Sequence, residues 1–235
     1  MRRVIAYTLI VLGLLIMLFP QANEYYENIQ TQELLQSIAN NGDSESIEFN
    51  DAAIDQRLLL EYQNTSKVLE DSINERGTNN DLSDGDVPQR QEKKTSVSGT
   101  DRSKAIAVIK IAKIKLNLPV LEGATKTNMK YAAAHLKETD PLGVQGNAAI
   151  AAHRAKTKGR LFNRLNEVEI GDEIVVEVGK QIYVYETDKV SIVKPTDVSV
   201  LKRGANDEAV LTLITCEPLV NPTHRLIVRA KLKES

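Results

Sequence analysis

TLITCEPLVNPTHRLIVRA, Thr212 to Ala230, contains two runs rich in β-branched and aliphatic residues, TLITC and RLIVRA, separated by a polar connection with two prolines. Such runs, bounded by turn residues, read as consecutive strands of a hairpin. The first ends in Cys216, the only cysteine of the chain, and the second opens at Arg225. A hairpin returns Arg225 to the neighbourhood of the sulfur. There a guanidinium favours the thiolate and can hold a developing oxyanion by charge-assisted hydrogen bonds. Taken singly, each residue also has a plainer reading: a buried inert cysteine and a solvated surface arginine. His224 falls on the other face of the extended chain and reads as a loop residue.

Similar runs recur upstream: AIAVIKI (105–111), LPVLEG (118–123), NAAIAAH (147–153), EIVVEVG (173–179) and QIYVYETDKVSIV (181–193). Their alternation, with Gly-Asp and Gly-Lys turns between them, predicts a largely antiparallel β-barrel or sandwich. Helices are expected only at NMKYAAAHL (128–136) and GRLFNRL (159–165). Residues 105–235 thus form the compact domain. Residues 76–104 hold almost no bulky apolar side chain and read as a flexible linker. Residues 24–75 read as a partly helical stalk or appendage, in which Ile54, Leu58, Tyr62, Leu69 and Ile73 fall at the spacing of an amphipathic helix.

The N-terminus begins Met1-Arg2-Arg3 and continues without charge from Val4 through Asn23. Those 20 residues span roughly 30 Å as a helix, enough to cross a bilayer. Arginines before the run and Glu24 and Glu27 after it orient residues 1–23 as a single-pass anchor, with the N-terminus cytoplasmic and the rest of the chain outside. A cleaved signal peptide is the alternative, disfavoured by the long apolar run and by Pro20-Gln21-Ala22 as a cleavage site. Outside the cell cysteines normally pair, so a lone Cys216 points to a reactive thiol or an intermolecular bridge. A net charge of −2 gives no field to draw nucleic acid.

His153 closes NAAIAAH at a strand terminus, as Cys216 closes TLITC, and supplies a base if the two ends lie on one side of the barrel. TLITC with Arg225 in HRLIVRA and His153 in GNAAIAAHR resembles the sortases, cysteine transpeptidases of the Gram-positive cell surface. LPVLEGAT (118–125), AAAHLKETDPLG (132–143, expected helical) and LFNRLNEVEIGDEIVV (161–176) agree in order and spacing, so the resemblance covers about Ile106 to Leu232. It implies a closed antiparallel or mixed barrel of about eight strands with a few short helices. It implies Cys216 as nucleophile, His153 as general acid and base, and Arg225 as stabiliser of the tetrahedral intermediate. It further implies the Glu217 backbone N–H as a second oxyanion donor and Thr215 as a substrate-positioning residue. His135 matches a second histidine found in several sortase classes, with a role either at the substrate or in packing. One departure is Ala152, where family members usually carry glycine, which adds a methyl beside the expected site.

The activity implied is cleavage of an LPxTG-type signal between Thr and Gly, with transfer of the acyl group to an amine of a cell-wall precursor or to a pilin lysine. The layout resembles classes A and D, whereas the segment after Cys216 resembles class C. A secreted cysteine hydrolase of another family and a non-catalytic anchored β-domain are the alternatives. No metal site or cofactor is expected; Glu167, Glu169, Asp172 and Glu173 could host Ca²⁺, as in some sortases, though solvated carboxylates are the plainer explanation.

Overall fold

The computed structural model describes residues 29–36, 54–74, 105–203 and 208–233. The apolar N-terminal run and the expected linker lie outside the described residues, and among those described no helix is long and apolar enough to cross a membrane. Helix α1 covers residues 29–36 and helix α2 covers Ile54–Asn74.

Eight strands follow: β1 (Ala105–Ile111), β2 (Leu116–Glu122), β3 (Ala133–His135), β4 (Gly146–Ala151), β5 (Glu173–Val178), β6 (Gln181–Val193), β7 (Ala209–Glu217) and β8 (His224–Leu232). They close into a barrel in the order β1-β2-β3-β4-β7-β8-β6-β5. Two neighbouring pairs, β2/β3 and β4/β7, are parallel and the others antiparallel. The mixed, eight-stranded closure expected from the resemblance is therefore present, and a sandwich is not.

β6 is long because it serves two partners. Gln181–Glu186 pair with β5 and Tyr185–Val193 with β8, and a bulge between Thr187 and Lys189 turns the strand from one to the other. β4 opens at Gly146, whose φ of +120° and Cβ-free approach to Asp140 let the Asp140 carboxylate accept the Asn147 N–H at 2.7 Å.

Two expectations about helices are corrected. NMKYAAAHL contains only the short helix α3 (Lys126–Met129), capped by the Thr125 hydroxyl, and then strand β3. Alanine favours helix locally, but pairing of Ala133 and Ala134 with β2 on one side and of Ala134 with β4 on the other, both side chains fully buried, overrides it. GRLFNRL is a series of turns ending in a 3-10 turn at Leu165–Glu167.

Each side of the β4–β7–β8 sheet buries its own apolar cluster. The barrel interior takes Ile150, Leu213, Leu226 and Val228 together with Ile109 and Ile174. The outer face presents Ala149, Ala151, Ile214, Cys216 and Ile227, covered by Tyr62 and Leu69 of α2. The amphipathic reading of α2 thus has a physical outcome: its apolar stripe lies on the barrel, and its two wholly buried side chains contribute about 1.5–3 kcal/mol each from removal of apolar surface. The side chains of Ile54 and Ile73 are outside the described residues.

Candidate active site

Strand register brings the candidate residues together. Cys216 on β7 faces Arg225 on β8 as a cross-strand pair. On the other side of β7, β4 runs parallel with Ala151 opposite Ile214, and the Ala152 N–H donates to the Ile214 carbonyl at 3.1 Å. His153 follows two residues past the end of β4, and continuing the register places it level with Cys216. Alternation puts 149, 151 and 153 on the outer face with Cys216, whereas 148, 150 and 152 face inward. His153, two residues past the end of β4, thus falls in line with Cys216 of β7 and Arg225 of β8.

The same alternation corrects the reading of Ala152. Its methyl group lies fully buried in the interior cluster, not beside the sulfur, so it does not narrow the site. Thr215 also turns inward: its hydroxyl, wholly buried, donates to the Ala152 carbonyl at 2.8 Å and ties β7 to β4. His135 lies away from the thiol, on β3. Its Nδ1 meets the Glu122 carboxylate at 3.1 Å and its Nε2 the Asp140 carbonyl at 3.0 Å, an arrangement that uses both ring nitrogens as donors. Burial pulls the imidazole down, but the Glu122 carboxylate and Asp140 carbonyl outweigh it and hold the ring above its ordinary value. His224 is exposed at the start of β8, with Nδ1 at 2.8 Å from the Thr223 hydroxyl.

α2 lies across the sulfur and the guanidinium. The Cys216 thiol donates to the Leu69 carbonyl at 3.7 Å. Arg225 Nη2 donates to the Ser66 carbonyl at 3.0 Å and to Glu70 Oε1 at 2.8 Å, while Nη1 reaches the His224 carbonyl at 3.0 Å. Arg225 Nε is buried without a partner among the described residues. Elsewhere on the helix, Glu61 accepts the Lys137 and Glu138 backbone N–H groups at 2.7 and 2.6 Å, and the Ser66 hydroxyl donates to the Pro195 carbonyl at 3.1 Å.

Under this cover Cys216 is 3% exposed. Burial pushes its thiol up to about 11; Arg225 and Arg154 pull the other way, and Glu70 adds to the rise. A thiol with that value is protonated at neutral pH and a poor nucleophile.

Each carboxylate considered for Ca²⁺ meets a cationic side chain. Lys113 Nζ reaches Glu169 at 2.7 Å and Asp172 at 2.8 Å, Arg164 holds Glu167 and Lys233 holds Glu173. No group of three or more metal-ligating side chains is assembled among the described residues.

The family model of the sortase domain matches residues 109–233, more than half of the chain. The chain belongs to the sortase family. Sortase A of Bacillus anthracis is 34% identical over 132 residues, a stretch covering 56% of this chain and 61% of that protein. Sortase A of Streptococcus agalactiae is 30% identical over 135 residues, covering 55% and 53%. The matches thus span between about half and three-fifths of these relatives' length. Among solved structures, sortase C1 of Streptococcus suis is 32% identical with a TM-score of 0.52, covering 56% of this sortase and 74% of that chain. Sortase C of Streptococcus pneumoniae shares the fold at a TM-score of 0.55 and 19% identity, over 87% of this chain and 96% of that one.

The α2 residues of this sortase that touch the site were not singled out by the sequence as site residues. Ser66, Leu69 and Glu70 follow Tyr62 at the three- and four-residue spacings of one helix face, which signals that they share a surface but not which surface they meet. Arg154 and Glu217 carry a weaker sign, each being the charged residue directly after a candidate catalytic one.

Proposed function

We propose that this sortase is a membrane-anchored cysteine transpeptidase that cleaves an LPxTG-type sorting signal between Thr and Gly and passes the acyl group to an amine. The observation that carries this reading is the cross-strand pair Cys216–Arg225 on β7 and β8, with His153 two residues past the end of the neighbouring strand β4. The Cys216 thiolate attacks the threonyl carbonyl carbon; electrons move to oxygen, and the Arg225 guanidinium and Glu217 N–H stabilise the oxyanion. Collapse breaks the C–N bond, His153 donates a proton to the leaving amine, and a thioester remains. An incoming amine, losing its proton to His153, attacks the thioester and releases the thiolate. Thr215 serves this chemistry by fixing β7 against β4, since its hydroxyl is occupied by the Ala152 carbonyl.

α2 occupies the face on which the donor would lie, so it leaves before the thiol can react. The uncharged run at residues 4–23 supports anchorage, with the barrel outside the cell. The acceptor is an amine of a cell-wall precursor or a pilin lysine; relatives called sortase A, C and D all match.

The test is incubation of the full chain with an LPxTG-type peptide, with and without triglycine. Amine-dependent exchange and a thioester on Cys216 are expected, and Cys216→Ala should abolish both while the melting curve stays that of a folded barrel. Acid product in equal yield with and without amine would identify a hydrolase instead. Absence of any adduct, even after α2 is removed, would exclude acyl transfer.

A further inference from the structure

Two charged residues sit directly after the base and the nucleophile. Arg154 follows His153 and Glu217 follows Cys216, and Arg154 Nη1 donates to Glu217 Oε2. The arginine side chain is 9% exposed and the glutamate side chain 23%, so this contact is largely shielded from the solvent that makes surface pairs weak. Two residues before each member of the pair, the Thr215 hydroxyl is bonded to the Ala152 carbonyl at 2.8 Å. His153 and Cys216 are consequently bracketed by two cross-strand links, a neutral one inside the sheet and an ionic one beyond its end.

The segment carrying His153 is also held from behind. The Phe162 N–H donates to the His153 carbonyl at 3.1 Å, Arg154 Nε reaches the Asn163 carbonyl at 3.4 Å, and Asn163 Nδ2 donates to the Ala155 carbonyl at 2.5 Å. β4 stops at Ala151, so the ladder itself no longer fixes the chain where the base is. Past the backbone bond from the Ala152 N–H to the Ile214 carbonyl, the Arg154–Glu217 ion pair links the two segments.

We infer that Arg154 and Glu217 are positioning residues, an ion pair that sets the distance between the His153 and Cys216 backbones beyond the end of the β4–β7 ladder. The inference rests on the acyl-transfer reading above. The pair has two effects. It fixes the base against the nucleophile, where an error of about 1 Å is worth roughly 100-fold in rate. It also gives the Glu217 carboxylate a cation of its own, limiting its repulsion of a thiolate on the preceding residue, while Arg154 remains close enough to lower the thiol. The charged or titratable groups that face the sulfur are Arg225 of β8, Glu70 of α2, Arg154, and His153 at the end of the neighbouring strand.

A double-mutant cycle on the full chain tests this. Arg154→Ala and Glu217→Ala should each lower kcat for amine-dependent exchange by roughly 10- to 100-fold, with KM within about two-fold. The double variant should lose no more than the worse single one. Arg154→Lys should recover part of the loss. Multiplying effects, or singles within about two-fold of the parent, would overturn the inference. Alkylation of Cys216 by iodoacetamide as a function of pH gives a second readout that needs no transpeptidation. Arg154→Ala should move its midpoint upward and Arg154→Lys should restore it, whereas a purely structural lesion would lower the melting temperature and leave the midpoint in place. If the parent shows no exchange but the alkylation midpoints shift as stated, the transpeptidase reading fails and the ion pair's effect on the thiol stands; unchanged midpoints in an active parent sink the ion-pair inference alone.

Discussion

The two faces of the β4–β7–β8 sheet are built from the same strands and held in different ways. The inner face is closed by the barrel itself: Ile150, Leu213 and Val228 meet residues of other strands of the barrel and are fully excluded from solvent. The outer face is covered partly by the barrel's own segments, through Met129, Leu136 and Leu201, and partly by Tyr62 and Leu69 of α2. Polar satisfaction separates the faces as well. At the α2 contact the Tyr62 hydroxyl, the Thr65 hydroxyl and Arg225 Nε are buried without partners among the described residues. Each such group costs about 1–3 kcal/mol, which offsets much of what the helix gains by burying apolar surface. One face is closed by the barrel alone and the other in part by a helix from outside it, and Cys216 and Arg225 are on the second.

Substitutions on the two faces should therefore report different things. Leu213→Ala, on the inner face, should lower unfolding free energy by about 2–5 kcal/mol in denaturant titration; a loss confined to α2 protection would erase the distinction. Leu69→Ala, on the outer face, can cost no more than the closure of the helix is worth. It should leave barrel unfolding nearly unchanged while raising the rate of Cys216 alkylation by roughly ten-fold or more. Glu70→Gln should act in the same direction by weakening the hold on Arg225 and removing a charge that opposes the thiolate.

The thiol links closure to pH. Its closed value of about 11 lies above the ordinary 9.0, so closed protein binds this proton more tightly. Closure is at full strength below about pH 9 and weakens as pH rises from there through about 11. Hydrogen exchange of residues 57–70 should accelerate over that window in the parent, and Cys216→Ala should remove the dependence. The smallest effect is expected for Tyr62→Phe, which deletes an unpaired buried hydroxyl. Closure should strengthen by about 1 kcal/mol and alkylation slow several-fold; faster alkylation would mean that the hydroxyl has a partner when closed.

Much of the inner face was legible in the sequence because strand alternation is a local signal. AIAVIKI and QIYVYETDKVSIV match β1 and β6 at both ends, and the Cys216 and Arg225 runs pair as a hairpin requires. Strand β3 was hidden because three residues, two of them alanine, carry no periodicity, and only insertion between β2 and β4 makes them a strand. Side-chain direction at the site was hidden for a related reason. Whether Ala152 and Thr215 face the sulfur depends on parity along β4 and β7, and a one-residue error exchanges the faces. The partner of α2 was out of reach, since an amphipathic stripe states that a surface is covered without naming it.

The Glu70–Arg225 contact has a consequence for how strongly a sorting signal would be held. A donor that needs the open form competes with an internal segment present at fixed effective concentration, so its apparent dissociation constant is the intrinsic one divided by the open fraction. Each 1.4 kcal/mol of closure weakens a free peptide about ten-fold, yet leaves the bound geometry unaltered. A substrate confined beside the enzyme recovers that loss through its own local concentration. Selection between stray and tethered donors would then be exercised by the helix before any residue of the catalytic strands is engaged.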